Sequence, residues 1–380
     1  MNRTVRAVLA AIAVVTIGVV GGCGERETSG GQSPAVAVPM TGTVTAGPPM
    51  GPPGTRPSTA TDVSSDPLSP RSTHPSKAAY AYVYDPPDGQ LEPAAYQYNS
   101  TGGRVYFRRV SAWDVTEIRL TGLGDPTGVA HVQSTSEDEC FVHDLRVEGG
   151  DEVLTVFCGG PPSQTGPGGA LRAEHAAYLL TFMAGSSGSA RIGYAAVDLR
   201  ATNARLVPLI AYDSVDPRGV TAARTAIGEY DLYFPSAGRQ VVASWSAQVT
   251  GAGFRRCKAS AFSPATAVLH ISCRIGQQPA DSTFVLTFSA GAHPLGRTDR
   301  PYATFERQDA SRVSTGEYLV RLPGMGSPGG HATVTAYGPG PAFCRITRWQ
   351  RVDADAEVSV GCYNPDRTPT DSDFLGAFTT

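Results

Sequence analysis

Six of the seven cysteines form three pairs with nearly the same spacing, and this regularity constrains the fold more than any other feature. Their separations are 18, 16 and 18 residues in the pairs Cys140/Cys158, Cys257/Cys273 and Cys344/Cys362. In an antiparallel hairpin, facing residues have a constant sum of residue numbers, and side chains alternate between the two faces. Even separations therefore place both cysteines of a pair opposite each other, and they predict one disulfide within each pair.

The residues inside each cysteine pair support three hairpins. Two positions inward, the residues are apolar in every copy: Val142/Val156, Ala259/Ile271 and Ile346/Val360. Residues of the opposite face are mostly polar in the second and third copies, an alternation that is typical of a half-buried strand. Constant pairing along each hairpin predicts turns centred on Gly149, Ala265 and Asp353.

The first 23 residues look like an export signal. A basic start at Arg3 and Arg6 precedes the apolar stretch from Ala7 to Val20, which is too short to span about 30 Å of hydrocarbon as a helix. It matches the central region of a secretory signal peptide. An ordinary cleaved signal peptide that happens to end near a cysteine is one interpretation of this segment.

The end of this segment, Val20-Gly21-Gly22-Cys23, resembles the lipobox of bacterial lipoproteins. The resemblance implies that residues 1–22 are a lipoprotein signal peptide and that Cys23 is the lipid attachment site. A diacylglycerol thioether and a further acyl chain such as palmitate would then hold the protein on the extracytoplasmic face of the cell membrane. Two or more acyl chains give stable anchoring, because each buried CH₂ contributes about 0.8 kcal/mol.

Export also determines how the other cysteines are interpreted. Outside the cytoplasm, an even set of six cysteines is a disulfide framework first. Structural zinc would need two ligands close together, as in Cys-x₂₋₄-Cys, and the sequence has no such pair. We therefore predict no metal site and no cofactor.

Further landmarks recur around the hairpins in the same order. Gly228-Glu229-Tyr230 and Gly316-Glu317-Tyr318 precede two of them, and Asp281-Ser282 and Asp371-Ser372 follow the same two; the first copy offers only the looser Thr116-Glu117-Ile118. A repeat of about 90 to 115 residues is long enough for a module with its own core. The third copy has no evident match to the strand predicted at 191–197, so it omits or borrows an edge strand.

Short alternating strands, with 43 Gly and 30 Pro, indicate an all-β protein. We predict three tandem β-sandwich-like modules, each with a disulfide-stapled hairpin, at 78–187, 188–290 and 291–380. Residues 23–77 are rich in Pro, Gly, Ser and Thr, and they predict a disordered tether. The landmarks over roughly 78–380 resemble a tandem repeat of exported actinobacterial proteins; that resemblance implies no activity and no functional residues, and the first copy departs from it most.

The sequence offers little chemistry. A formal charge of −3 and a charged content of 17% argue against a nucleic-acid partner. No Gly-x-Ser-x-Gly, His-Glu-x-x-His or phosphate-loop motif occurs in a suitable context, so we predict no catalytic residue. Asp281 and Asp371 are interpreted as turn caps.

One aromatic pair stands out. Phe141 and Phe157 should face each other across the first hairpin, on the face that is polar elsewhere. We predict that they pack against a neighbouring module or a partner, which their equivalents in the other copies do not.

These observations predict a lipid-anchored protein that displays repeated β modules for binding or for cell-envelope scaffolding, with an envelope polymer or protein as partner. The alternative is a hydrolase acting on envelope polymers, and a purely structural spacer is a third interpretation. A single deep pocket with convergent carboxylates would favour catalysis, whereas equivalent patches on several modules would favour binding.

Overall fold

A computed structural model gives the fold of the chain. It describes residues 76–111, 115–136, 138–159, 177–185, 191–198, 205–238, 245–297, 300–327 and 329–380. The predicted signal peptide, Cys23 and nearly all of the predicted tether lie outside these residues. Within them the protein is all-β, as predicted from the sequence.

The strands fall into three modules along the chain. Module 1 contains β1 (Lys77–Tyr84), β2 (Glu92–Pro93), β3 (Tyr96–Asn99), β4 (Val105–Ser111), β5 (Val115–Leu120), β6 (Val129–Ser134), β7 (Glu139–Glu148), β8 (Asp151–Gly159) and β9 (Ala177–Ala184). Module 2 contains β10 (Arg191–Val197), β11 (Arg205–Leu206), β12 (Ile210–Asp213), β13 (Thr221–Ala226), β14 (Glu229–Tyr233), the 3₁₀ helix Pro235–Ala237, β15 (Trp245–Gly251), β16 (Arg256–Ser263), β17 (Val268–Ile275), β18 (Gln278–Pro279) and β19 (Phe284–Ala290). Module 3 contains β20 (Tyr302–Glu306), the 3₁₀ helix Arg307–Asp309, β21 (Ala310–Ser314), β22 (Glu317–Leu322), β23 (His331–Tyr337), β24 (Phe343–Val352), β25 (Asp355–Tyr363) and β26 (Asp373–Thr379).

Each module packs an inner sheet against an outer sheet that carries the disulfide hairpin. The inner sheets have the strand orders β3-β1-β9-β6, β12-β10-β19-β15 and β20-β26-β23. The outer sheets have the orders β2-β4-β5-β8-β7, β11-β13-β14-β17-β16 and β21-β22-β25-β24. The parallel pairing of Ala259 in β16 with Tyr337 in β23 joins the outer sheet of module 2 and the inner sheet of module 3 into one continuous sheet. Each sandwich encloses its own apolar core, around Phe182, Phe288 and Phe378 at equivalent positions of the inner sheets.

The third module has the strand that the sequence analysis did not find. β20 pairs with β26 just as β10 pairs with β19, so module 3 neither lacks this strand nor borrows it. In the described residues, module 3 omits instead the edge strand that corresponds to β3 and β12. The 3₁₀ helix Arg307–Asp309 alone separates β20 from β21 and leaves no room for that edge strand.

All three hairpins are closed by disulfides, as predicted from the cysteine spacing: Cys140–Cys158, Cys257–Cys273 and Cys344–Cys362. Each hairpin also contains a β-bulge three residues inward of its first cysteine, where His143, Ser260 or Thr347 is the extra residue. A bulge inserts one unpaired residue in one strand and shifts all pairing beyond it. The turn centres predicted at Gly149, Ala265 and Asp353 are therefore wrong by half a residue, and the turns of the first and third hairpins are Gly149-Gly150 and Asp353-Ala354.

The repeated Gly-Glu-Tyr and Asp landmarks form one structural unit. In module 2 the Asp281 carboxylate accepts hydrogen bonds from the Gly228 amide (2.9 Å), the Tyr230 hydroxyl (3.0 Å) and the Arg224 guanidinium (2.7 Å). The Gly228 φ of +71° and the Cys273 carbonyl, only 2.5 Å from where a Cβ would lie, exclude a side chain at this position. Asp371 repeats the arrangement in module 3, so both aspartates tie a turn to the hairpin.

Candidate functional site: a cavity shared by three modules

The inner sheets of the three modules meet at a junction whose contacts repeat cyclically. His131 of module 1 hydrogen-bonds the hydroxyls of Thr250 (3.0 Å) and Thr287 (2.7 Å) of module 2. The Val249 amide of module 2 donates to Thr335 Oγ1 of module 3 at 3.4 Å. The side chain of Gln133 in module 1 bonds both backbone groups of Val334 in module 3.

The strand pairings show that these contacts are equivalent. Gln133, Thr250 and Thr335 occupy one position of the repeat. Each follows a valine (Val132, Val249 or Val334), and each valine lies two residues after the strand partner of Phe182, Phe288 or Phe378. Module 1 thus contacts module 2, module 2 contacts module 3, and module 3 contacts module 1 through related residues. We describe this arrangement as pseudo-threefold, with its axis through the junction.

A cavity of about 150 Å³ lies at one end of the junction. Its lining includes Gln133, Thr250 and Thr335 and the first cysteines of all three hairpins, Cys140, Cys257 and Cys344. The disulfides therefore hold the three hairpin ends that enclose one space. The complete cavity therefore requires that all three modules are assembled.

The repeat supplies unequal side chains to the cavity wall. The residue before the first cysteine is Glu139 in module 1, Arg256 in module 2 and Phe343 in module 3. The residue after it is Lys258 in module 2 and Arg345 in module 3, and both line the cavity. Equivalent backbone positions of the three hairpins thus surround the cavity, but the positively charged side chains come from modules 2 and 3.

Positive charge dominates the lining. Its cationic side chains are Arg255, Arg256, Lys258, Arg274 and Arg345, and its carboxylates are Asp138 and Glu139. These five cations and two carboxylates give a formal charge of +3, in a chain whose formal charge is −3. The cavity therefore has the opposite sign from the protein as a whole.

Lys258 is the most buried of these cations, with 6% of its surface exposed. Its ammonium donates one hydrogen bond, to the Pro339 carbonyl at 3.4 Å, and among the described residues it forms no ion pair within 4.0 Å. Burial, together with the nearby charge of Arg274, lowers the pKa of Lys258 to about 8, against a smaller opposing effect of Glu229. Among the described residues, this buried cation therefore has no carboxylate in direct contact.

The arginines of the lining are only partly satisfied. Arg256 is ion-paired with Glu139 and lies over the Phe343 ring, 3.7 Å from its centroid. Arg345 donates to the Ser136 carbonyl and lies over the Tyr363 ring at 4.6 Å. The Nε atoms of Arg274 and Arg345 are buried and have no hydrogen-bond partner in the described part of the chain.

Burial raises the pKa of Glu139, and the charge of Arg256 opposes this shift. Burial also lowers the pKa of Arg256; its pairing with Glu139 opposes this shift, and the neighbouring charges of Arg367 and Arg345 add to it. Glu139 is paired with Arg256, and Glu229, outside the lining, lies 3.9 Å from Arg274, so the two carboxylates offset two of the five cations and leave a surplus of positive charge. Chemically, the site can donate hydrogen bonds and attract negative charge.

The aromatic pair singled out in the sequence analysis, Phe141 and Phe157, lies beside this site rather than in its lining. The rings of Phe141 and Phe157 are 5.4 Å apart, and each meets the edge of Phe254 from module 2, at 6.0 and 6.1 Å. These three rings form an aromatic cluster between modules 1 and 2. Of the disulfide cysteines, only the first of each pair lines the cavity, and Cys23 lies outside the described residues.

Sequence reasoning missed Lys258, Arg345 and Arg256 as site residues. From the sequence, positions 258 and 345 are recognised only as part of the polar hairpin face, because the sequence does not show that three hairpin ends converge. The available signal lay in the residues next to the first cysteine of each pair. Cations occur there in two copies, and Glu139 and Phe141 occur there in the other. That asymmetry within a repeat marks a position where the modules perform different tasks.

A second groove lies between modules 1 and 3. Its lining includes Tyr82, Tyr96, Trp349, Arg348 and Arg351, and its volume is about 430 Å³. Tyr82 meets the Trp349 ring edge-on at 5.2 Å. Because only two modules form this groove and its cations are exposed, it lacks the buried, uncompensated charge of the cavity.

Within the described ranges, no group of three or more His, Cys, Asp or Glu is placed to hold a metal ion. The same residues contain no helix with the length and apolar character needed to cross a bilayer. No family model, curated protein or solved structure matches this chain.

Proposed function

We propose that this protein is a lipid-anchored extracytoplasmic binding protein whose three modules together form one ligand site. The observation that carries this proposal is the cavity on the pseudo-threefold axis, to which all three modules contribute lining residues. Small-molecule sites are typically concave and combine apolar walls with a few placed polar groups. The modules would then serve binding jointly, rather than each displaying its own copy of a site.

The anchor is part of the same proposal. Cys23 would carry the acyl chains, and residues 23–77 would hold the β modules away from the membrane, where an envelope component can reach the cavity. Mass spectrometry of the mature amino-terminal peptide tests this, with an acylated Cys23 expected. An unmodified Cys23, or a protein that stays in the membrane fraction after Cys23→Ser, would overturn the anchor.

Three valines make the shared site measurable. Val132, Val249 and Val334 line the cavity from modules 1, 2 and 3, and Val197 lies in the core of module 2 away from it. Methyl NMR of the full-length protein with a panel of neutral, cationic and anionic compounds should identify ligands that shift all three valines but not Val197. If every ligand shifts the valine of one module only, or none shifts any, a shared site is wrong.

A hydrolase acting on envelope polymers remains without a supporting observation of this kind. Hydrolysis with two carboxylates needs them on opposite sides of the scissile bond. The cavity carboxylates Asp138 and Glu139 are consecutive in the chain, and Glu139 is paired with Arg256. The arrangement favours binding over acid–base work.

A further inference from the structure

We infer that the cavity binds a small oxyanion of the phosphate class, either inorganic phosphate or the phosphate group of a small phosphomonoester. This inference rests on the proposed function, because it names the ligand of the same site. Four features of the lining lead to it.

The first feature is the surplus of positive charge. Five cations and two carboxylates line the cavity. The Glu139 carboxylate is already paired with Arg256, and Glu229, outside the lining, lies 3.9 Å from Arg274, which still leaves positive charge in excess. Holding like charges together inside a protein is unfavourable unless a counter-charge is present. A bound anion would supply that charge at the place where the chain itself does not.

The second feature is a set of donors without acceptors. The Nε atoms of Arg274 and Arg345 are buried and unpaired among the described residues, and the Lys258 ammonium makes one long hydrogen bond. A buried donor left unsatisfied costs about 1 to 3 kcal/mol, so such donors are rare in an interior without a function. An oxyanion offers several strong acceptors to all of them at once.

The third feature is the placement of the donors. Lys258 lines the cavity from β16 of module 2, and Arg345 lines it from β24 of module 3. Donors that arrive from different modules suit an acceptor with oxygens in several directions. A tetrahedral phosphate meets this condition better than a planar carboxylate does.

The fourth feature is size. A cavity of about 150 Å³ is comparable to one that accepts benzene. It therefore holds a phosphate group with only a few further heavy atoms. This excludes a nucleotide or a sugar chain lying wholly inside.

Calorimetric titration of the full-length protein tests the inference, with inorganic phosphate, glycerol 3-phosphate, succinate and N-acetylglucosamine as probes. We expect binding of at least one of the two phosphates, weakened by added salt because the attraction is ionic. Succinate should bind about tenfold more weakly or not at all, and the uncharged sugar should not bind. Succinate that binds as tightly as phosphate would overturn the assignment to the phosphate class.

Variants separate the cavity from general electrostatics. Lys258→Met and Arg345→Gln should each weaken phosphate binding by about tenfold or more, because each removes a charged donor. Arg104→Gln is the matched control, since Arg104 is exposed in module 1 and the change in net charge is the same. Equal affinity in all four proteins, the unaltered one included, would overturn the inference.

A variant that is expected to bind phosphate more tightly separates the charge effect from misfolding, because misfolding would only weaken binding. Glu139→Gln removes the carboxylate that competes for Arg256, so phosphate should bind several-fold more tightly. A lower affinity would contradict the proposal that Glu139 competes with the anion for Arg256. If the uncharged sugar shifts all three cavity valines while no phosphate binds, the proposed function survives and this inference fails; if no probe shifts them, both fail.

Discussion

The junction and the cavity lie on the same pseudo-threefold axis, are built from neighbouring residues of the same strands, and differ in how their polar groups are satisfied. At the junction, neutral His131 has a hydroxyl partner on each ring nitrogen. The Nε2 atom of His331 shares a hydrogen bond with the Thr181 hydroxyl at 3.0 Å. In the cavity, Lys258 and the Nε atoms of two arginines have few or no partners among the described residues. At the junction the modules are joined by satisfied neutral groups, whereas the cavity, which the Arg256–Glu139 ion pair also bridges, keeps charged donors that the described residues leave incompletely satisfied.

Burial accounts for the neutral state of the junction histidines. It lowers the pKa of both His131 and His331 to about 3, because the imidazolium would lose its hydration without gaining a carboxylate. The folded protein therefore binds fewer protons than the unfolded chain between about pH 6.5 and pH 3. Its stability is full above this window and falls as the pH falls through it.

Acidification should produce the largest effect. Lowering the pH from 7 to 4 should remove about 3 kcal/mol of unfolding free energy for each of the two histidines. His131→Gln keeps hydrogen-bonding capacity and cannot become charged, so it should flatten the pH dependence by about one histidine's share. Urea unfolding followed at several pH values measures this.

His143 is the matched control for the junction histidines, because it is exposed at the bulge of the first hairpin. His143→Gln should leave the pH profile unchanged. A profile that changes equally in both variants would mean that the junction does not carry the acid sensitivity.

Removing a disulfide should have the next largest effect, and it acts on the cavity side of the comparison. The double change Cys257→Ala and Cys273→Ala should lower the unfolding free energy by about 3 kcal/mol, from the loop-closure entropy of the unfolded chain. It should also weaken phosphate binding, since Cys257 lies between Arg256 and Lys258. Thermal unfolding and titration calorimetry on one preparation give both results, and unaltered binding would show that the hairpin end need not be clamped.

Replacing the buried lysine should stabilise the empty protein. The pKa of Lys258 is about 8 when folded and near 10.5 when unfolded, so its charge opposes folding fully below pH 8, and this opposition is relieved as the pH rises to 10.5. Lys258→Met should therefore raise the unfolding free energy by about 1 to 3 kcal/mol at pH 7. The gain should shrink towards pH 10.5 in denaturant titrations, and a loss of stability at pH 7 would show that the ammonium is well compensated.

The aromatic cluster should give the smallest effect. Phe254→Ala removes two edge-to-face contacts between modules 1 and 2, for which about 1 to 2 kcal/mol of unfolding free energy is expected. Phe343→Ala, which removes the ring beneath Arg256, is the paired change on the cavity side, and it should alter phosphate binding more than stability. Calorimetric melting of both variants, with and without phosphate, makes the distinction; a reversed pattern would argue against separate tasks for the two regions.

Local features of the fold were readable from the sequence, because they depend on short-range spacing. The disulfide pairs followed from even separations, and the flanking Val142/Val156 alternation located the hairpins. The bulges escaped prediction, since the extra residues His143, Ser260 and Thr347 leave no distinctive local pattern.

The alignment of the first copy illustrates a second limit. The sequence matched Glu117 with Glu229, but the register to β8 and β17 makes Thr116 the counterpart of Tyr230. In module 2 the tyrosine is Tyr230 of the outer sheet, and it packs on Phe284 of the inner sheet. In module 1 the tyrosine is Tyr178, at the position of Phe284, so the tyrosine has moved from the outer sheet to the inner sheet. The cavity was out of reach for a related reason: contacts such as Gln133 with Val334 join residues far apart in the chain.

The most direct test of the account is the pKa of the Lys258 ammonium, measured from its ¹³Cε chemical shift in the full-length protein. With the cavity empty, the account predicts a pKa near 8. Saturating glycerol 3-phosphate should raise it by a unit or more, because a bound dianion stabilises the ammonium. A pKa of about 10.5 that does not respond to the phosphate would contradict the claim that this cavity is an anion site.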